Sequence, residues 1–267
     1  MKPGKGEMSI LEKIFEHKQG ELEHFKRQAR IEDLRAKVRD HSYRPLPFRQ
    51  RLESSSAPFA VIAEIKQRSP SKGLLREKFN PPVIAQDYEK HGAAALSVLT
   101  DEHFFGGHLD HLRQVRAVVG LPLLRKDFVW DPYQIYAARE AGADAILLIA
   151  AMLGKSQIED LQGLAEELKL SVLLEVHNAA EADVAQAVGS KLVGVNHRDL
   201  KSFKVDVGLS EKLLPRLPAA ALKVAESGLD KRETLLRLKA AGIGAFLIGE
   251  AFMKAKSPGA ALKELLQ

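Results

Sequence analysis

The sequence predicts an α/β fold, a (β/α)8 TIM barrel with extra N-terminal helices, and three observations predict it. Eight apolar, β-branched segments recur at a mean spacing of about 26 residues, which suits one strand, one helix and their turns. Four of the helix-to-strand junctions share a glycine followed by small residues. Five segments end in charged or polar side chains on their C-terminal side, and in a closed parallel barrel those ends share one rim. An open doubly wound sheet is the competing arrangement. Even spacing, and the lack of a G-x-G-x-x-G run after the first strand, favour the barrel.

Strands are expected at Val61–Ile65, Leu96–Leu99, Leu121–Leu124, Ala145–Ile149, Val172–Val176, Leu192–Val195, Leu222–Ala225 and Ala245–Ile248. Helices are expected at Gly107–Val119 and Pro81–Lys90, the latter opening on two prolines. Asp131–Ala141 opens on an N-cap aspartate followed by proline. Ser156–Lys169, Ala179–Val188, Leu209–Leu217, Lys231–Ala241 and Gly259–Leu266 complete the series. Gly92, Gly142, Gly189 and Gly242 mark the shared junctions.

Residues 1–56 stand outside this repeat. Apolar spacing at three and four predicts helices over Ile10–His17 and Glu21–Arg39, and Ser54–Pro58 reads as a hinge. The segment is too short for a core of its own, so it is expected to cover one end of the barrel built by residues 57–267, within a single domain.

The 267 residues are 45% hydrophobic and 28% charged, which fits a globular chain and excludes wholesale disorder. A formal charge of +5 is spread along the sequence rather than gathered in a stripe, so a nucleic-acid partner is not expected. A phosphorylated small molecule uses such a charge as well. With no cysteine there is neither thiolate chemistry nor sulfur-bound zinc, and the nine histidines form no H-E-x-x-H pair. No apolar run approaches the ~18 residues needed to span a bilayer, and the first ten residues lack a signal-like core; a cytoplasmic protein is expected.

Strands buried on both faces tolerate charge only where it is used or paired. Glu64 and Lys66 are two residues apart and therefore share a strand face. Arg125-Lys126-Asp127 follows the third strand, Glu175 lies in the fifth, Asn196-His197-Arg198-Asp199 closes the sixth and Glu226-Ser227 the seventh. Any one of them alone fits a structural ion pair. Together on one rim they point to an active site. Gly228 after strand seven and Gly249 after strand eight can turn bare N–H groups toward an anion, with Ser69, Ser71 and Lys72 after strand one as further donors; plain turns and an ordinary flexible loop are the competing readings.

AEIKQRSPSKG (63–73), LTDEHFFGG (99–107), LLRKDF (123–128), LLEVH (173–177), GVNHRDL (194–200), AESGL (225–229) and LIGEAFM (247–253) stand in one order along the chain. In that order they resemble the motif series of the indole-3-glycerol phosphate synthases, from about Ile10 to the C-terminus; only the N-terminal helices match loosely. His197 departs from the pattern, since the family often has Asn or a small residue there.

The resemblance implies conversion of 1-(2-carboxyphenylamino)-1-deoxyribulose 5-phosphate to indole-3-glycerol phosphate, with loss of carbon dioxide and water and with no metal or organic cofactor. It makes Lys126 the acid for the ketone oxygen. An ordinary lysine is a weak acid at neutral pH, so burial or neighbouring cations are expected to lower its pKa. Lys66 pairs with the substrate carboxylate, and the division of protonations between the two lysines stays open. Glu175 is the base for the later proton removal, Glu64 holds Lys66, Asn196 hydrogen-bonds alongside, and Arg198 positions the substrate. Ser69, Ser227, Gly228, Gly249 and Glu250, the last through its backbone, match the phosphate side. Phe105, Phe128, Leu200 and Leu247 line the aryl pocket, where a purely core role is the competing reading for the leucines. A monomer is expected. The alternatives are another phosphate-binding barrel enzyme of the same pathway and a non-catalytic binder. The pathway's isomerase is expected to use a Cys/Asp pair, which a chain without cysteine lacks.

Overall fold

The computed structural model describes residues 10–267; residues 1–9, where the expected N-terminal extension begins, lie outside the described residues. Eight parallel strands close into a barrel: β1 (Ala60–Ile65), β2 (Ala95–Leu99), β3 (Leu123–Lys126), β4 (Ala145–Ile149), β5 (Ser171–Val176), β6 (Leu192–Asn196), β7 (Leu222–Glu226) and β8 (Ala245–Ile248). Consecutive strands pair, and β8 returns to β1 with Ala60 opposite Ala245 and Ala63 opposite Ile248.

Helices α1 (Ile10–Gln28), α2 (Ile31–Asp40) and α3 (Phe48–Glu53) precede the barrel. Around and after it run α4 (Pro81–Lys90), α5 (Leu109–Arg116), α6 (Pro132–Glu140), α7 (Lys155–Glu167) and α8 (Ala179–Ala187). The series ends with α9 (Leu209–Leu213), α10 (Arg232–Ala241), α11 (Glu250–Lys254) and α12 (Pro258–Leu266). Their starts follow local chemistry. Asn80 caps α4 by accepting from the Val83 N–H, Asp131 and Gln134 form a capping box on α6, and Ser257 precedes Pro258 at α12. All four junction glycines have positive φ, as the helix-ending turn requires.

Alternation along each strand divides the core. One set, including Val61, Leu96, Ile146 and Phe246, packs outward under the helices. The other, including Ile62, Leu124, Leu173 and Leu247, fills the barrel interior.

Four expectations are corrected. The third strand runs Leu123–Lys126 rather than Leu121–Leu124: Pro122 has no N–H to give the ladder and contributes only its carbonyl, to the Leu96 N–H at 2.9 Å. The first helix continues through residues 18–20, because the burial of Ile14, Lys18 and Leu22 along one face outweighs the ~1 kcal/mol helix penalty of Gly20. The expected helix over Leu209–Leu217 stops at Leu213 and gives way to a 3-10 turn carrying Pro215, which lacks the next helical N–H. Helices α3 and α11 and a small hairpin, Arg68–Ser69 against Gly73–Leu74, lie in stretches where no element was expected.

The N-terminal segment covers both ends of the barrel, not one. Helix α1 lies over the C-terminal rim, where Ile10, Leu11 and Ile14 border the cavity described below. Phe48 and Leu52 of α3 pack with Ala60, Ala95, Ala145 and Ala245, the first residues of their strands, at the opposite pole. The connecting stretch is clamped on Asp144, just before β4. Its Oδ1 accepts from the Tyr43 hydroxyl and, at 2.6 Å, from the Leu46 N–H, while Oδ2 takes the Leu123 N–H at 2.7 Å and Arg116 at 3.1 Å.

Candidate active site

The C-terminal rim encloses a cavity of about 510 Å³. All fifteen residues assigned a site role from the sequence border it, including Glu64 from β1, Lys126 from β3, Glu175 from β5 and Asn196 from β6. Parallel strands of one barrel deliver their last residues to a common mouth, which is why positions far apart along the chain meet here.

The centre is a chain of opposite charges. Lys126 Nζ lies 2.9 Å from Glu175 Oε2 and 3.5 Å from Glu226 Oε2, and Lys66 is ion-paired with Glu64. Burial alone would lower the pKa of the Lys126 ammonium, but the carboxylates of Glu175, Glu226 and Glu64 outweigh it and raise it above the ordinary lysine value. The expectation of a lowered lysine is corrected: its neighbours are anions, not cations. Burial likewise pushes Glu175 up, yet Lys126 and His177 hold it below the usual carboxylate range. Glu226 behaves oppositely. Burial raises it, Lys126 opposes, and the charges of Glu175 and Glu64 add to the rise, so it reaches about 8. The two carboxyls titrate as a pair, and their surroundings favour a proton on the Glu226 side and a charge on Glu175.

Sequence reasoning noted Glu226 as a polar strand end but gave it no role. The signal was its register: Glu226 pairs with Asn196 on one side and Leu247 on the other, in the layer of the other site residues. Two glycines make room for this layer. A Cβ on Gly194 would fall on Glu226 Oε1, and one on Gly249 would fall on Glu64 Oε1.

Toward β7 and β8 the wall is polar backbone. Ser227 and Gly228 both have φ of 70°, an unfavourable value for serine and thus a held turn. Gly249 leads into α11, and the Glu250 side chain is taken by Arg198 at 3.1 Å and Lys254 at 2.6 Å. Asn196 Oδ1 accepts from the Arg198 N–H at 3.0 Å and so fixes the start of the following loop. His197 lies outside the cavity wall. Its Nδ1 donates to the Ser227 carbonyl at 2.9 Å, which leaves Nε2 to accept from the Ser210 hydroxyl at 2.7 Å; burial lowers its pKa, so the ring is neutral.

The opposite wall is apolar. Phe105 and Phe128 approach at 6.2 Å between ring centres, Leu200 and Leu247 border the same space, and Ile10, Leu11 and Ile14 of α1 roof it. Helix α1 thus reaches the pocket as well as covering the rim. What seats it is Lys18, buried on α1 and ion-paired with Asp127 Oδ1 at 3.0 Å and, more loosely, with Asp101 Oδ2 at 3.6 Å. Among the described residues, no group of three or more His, Asp or Glu side chains is placed to hold a metal ion.

The model of a family described as indole-3-glycerol phosphate synthase matches residues 11–265. The chain belongs to the indole-3-glycerol phosphate synthase family. A synthase of that name from Acidithiobacillus ferrooxidans is 47% identical over 257 residues, covering 96% of this chain and 98% of its own. One from Campylobacter jejuni is 43% identical over 257 residues, covering 96% and 100%. One from Albidiferax ferrireducens is 55% identical over 206 residues, covering 77% and 78%. Among solved structures, an N-acetylmannosamine-6-phosphate 2-epimerase from Clostridium perfringens superposes with a TM-score of 0.60 at 13% identity, over 79% of this chain and 93% of its own, which speaks to the barrel alone. Membership in the synthase family makes the chain an enzyme of tryptophan biosynthesis, a lyase that closes a ring with decarboxylation.

Proposed function

We propose that the rim cavity binds 1-(2-carboxyphenylamino)-1-deoxyribulose 5-phosphate and closes the indole ring with Lys126 as acid and Glu175 as base. The observation that carries this reading is the Lys126–Glu175 ion pair, set between an apolar wall that suits an aryl ring and a glycine-rich wall that suits a phosphate.

The ring carbon bearing the carboxylate attacks the ketone carbon, and the ketone oxygen takes a proton from Lys126. A raised lysine pKa does not forbid this, because the developing alkoxide is more basic than any ammonium. The bond to the carboxyl carbon breaks next, carbon dioxide leaves, and its electron pair restores the aromatic ring. The new hydroxyl departs as water with a second proton, for which Lys66 is the nearby donor. Glu175 removes the proton from the adjacent carbon.

The ion pair imposes an order on these steps. While Lys126 is charged, Glu175 is a poor base. Once Lys126 has given its proton away, the chief cause of that depression is gone and Glu175 gains basicity. Ser227, Gly228, Gly249 and the Glu250 backbone, with Ser69, take the phosphate; Phe105, Phe128, Leu200 and Leu247 take the aryl ring; Arg198 and Asn196 position the sugar chain between them. Action as a monomer in the cytoplasm, without a nucleic-acid partner, completes the reading.

The test is the appearance of indole fluorescence when the carboxyphenylamino sugar phosphate is mixed with the purified protein. A flat trace from folded protein overturns the proposal.

A further inference from the structure

We infer that His177, which does not border the cavity, is a positioning residue for Glu175: clamped as an imidazolium between Glu175 and Glu181, it keeps a cation on that carboxylate while Lys126 gives up its own charge. This rests on the base role proposed for Glu175.

The geometry comes first. His177 Nδ1 lies 3.2 Å from Glu181 Oε2, and Nε2 lies 3.2 Å from Glu175 Oε1, an ion-pair contact without the alignment of a full hydrogen bond. A neutral imidazole has one N–H, so one ring nitrogen would turn a lone pair on a carboxylate oxygen. Only the doubly protonated ring suits both neighbours. Glu181 is itself fixed, since its Oε2 also accepts the His177 N–H at 2.8 Å and its Oε1 accepts from the Asn178 side chain at 2.5 Å. It stands in the first turn of α8, where a carboxylate is stabilised by the helix end.

The other charges around the ring are Asp199 in the loop after β6 and, through Glu175, Lys126 of β3 and Glu226 of β7. Burial would lower the histidine, but Glu175 and Glu181 outweigh it and raise it to about 10, in accord with the geometry.

The consequence concerns the moment when Lys126 is neutral. Glu175 then has Glu226, a carboxyl whose burial and anionic neighbours favour its protonated form, beside it. A carboxylate with no remaining cation would pick up that proton, or one from solvent, before the substrate carbon offers its own. His177 prevents this, and by holding Oε1 it leaves Oε2 aimed at Lys126.

The experiment measures kcat and KM against pH for the wild type, His177→Gln and Glu181→Gln. In His177→Gln the acid limb of kcat is expected to move up by about one pH unit, a loss of about tenfold on that limb, with KM within about twofold. In Glu181→Gln the imidazolium loses a partner and the alkaline limb moves toward neutrality. A side chain that only packs would lower the melting temperature and leave both limbs in place; superimposable profiles overturn the proposal. If His177→Gln does not fold, Glu181→Gln and the imidazole 15N spectrum of the wild type decide. One of the nine histidines must be doubly protonated at about pH 8 and must respond to Glu181→Gln; a singly protonated ring overturns the inference. A wild type without turnover removes the base role of Glu175, while the 15N spectrum still reads the imidazolium by itself.

Discussion

Lys18 and Asp127, on elements at opposite ends of the first half of the chain, meet at 3.0 Å with both side chains buried. The contact seats α1 on β3 directly beside Lys126 and Phe128, so the roof of the cavity and its proposed acid share one support.

Replacing Lys18 with Met leaves Asp127 and Asp101 as buried carboxylates without that cation. A loss of about 3–5 kcal/mol in unfolding free energy is expected from chemical denaturation. Phe15 of α1 packs edge-on against Trp130, the only tryptophan, at 5.2 Å. Its emission should therefore shift to longer wavelength as α1 loosens, and KM should rise with the loss of Ile14 from the cavity wall. An unchanged emission maximum counts against Lys18 as the tether.

Glu226→Gln separates activity from stability. The folded-state pKa of Glu226 is raised to about 8 from an ordinary 4.5, so ionisation favours the unfolded chain and its destabilising effect grows as pH rises between those values. Glutamine keeps the shape without the titration. The variant should melt higher than the wild type at pH ~8, match it near pH ~4.5, and turn over about a hundredfold more slowly. Equal melting temperatures at the higher pH refute this account.

Gly194→Ala probes the same carboxyl sterically. The added methyl falls on Glu226 Oε1 and comes within 3.3 Å of Leu173. A stability cost of about 1–3 kcal/mol and a fall in kcat larger than the change in KM are expected. Kinetics identical to the wild type would mean that the position of Glu226 is immaterial.

Asp144→Ala serves as the distant control. It strips the partner from Tyr43, Leu46, Leu123 and Arg116 at the pole away from the cavity. About 3 kcal/mol of stability should disappear while kcat and KM stay put below the new melting point. A changed KM would show that the two poles are coupled.

Most of the barrel was legible because its signals are local. Buried strands bounded by glycine turns can be read from residue order, and the strand-end charges stand out against an apolar background. What escaped depends on through-space partners. Gly20 looks like a helix break until Ile14, Lys18 and Leu22 are seen to be buried on either side of it. Arg125 and Lys126 look like loop residues until Asp127, Thr100 and Glu175 are found around them. The direction of the Lys126 pKa shift was misjudged for the same reason. Residue type announces a lysine, whereas the three carboxylates that surround it come from β1, β5 and β7. Glu226 was visible as a charged strand end, but its place among the other rim residues depends on its register with Asn196 and Leu247.

The two-pole grip of the N-terminal segment also constrains biosynthesis. Helix α1 is made before the barrel strands, yet Ile14 belongs to the same interior cluster as Leu247 of β8, as do Phe48 and Ala245. Helix α1 must wait, exposed, for β8, so the cavity acquires its ceiling only after all eight strands have been made.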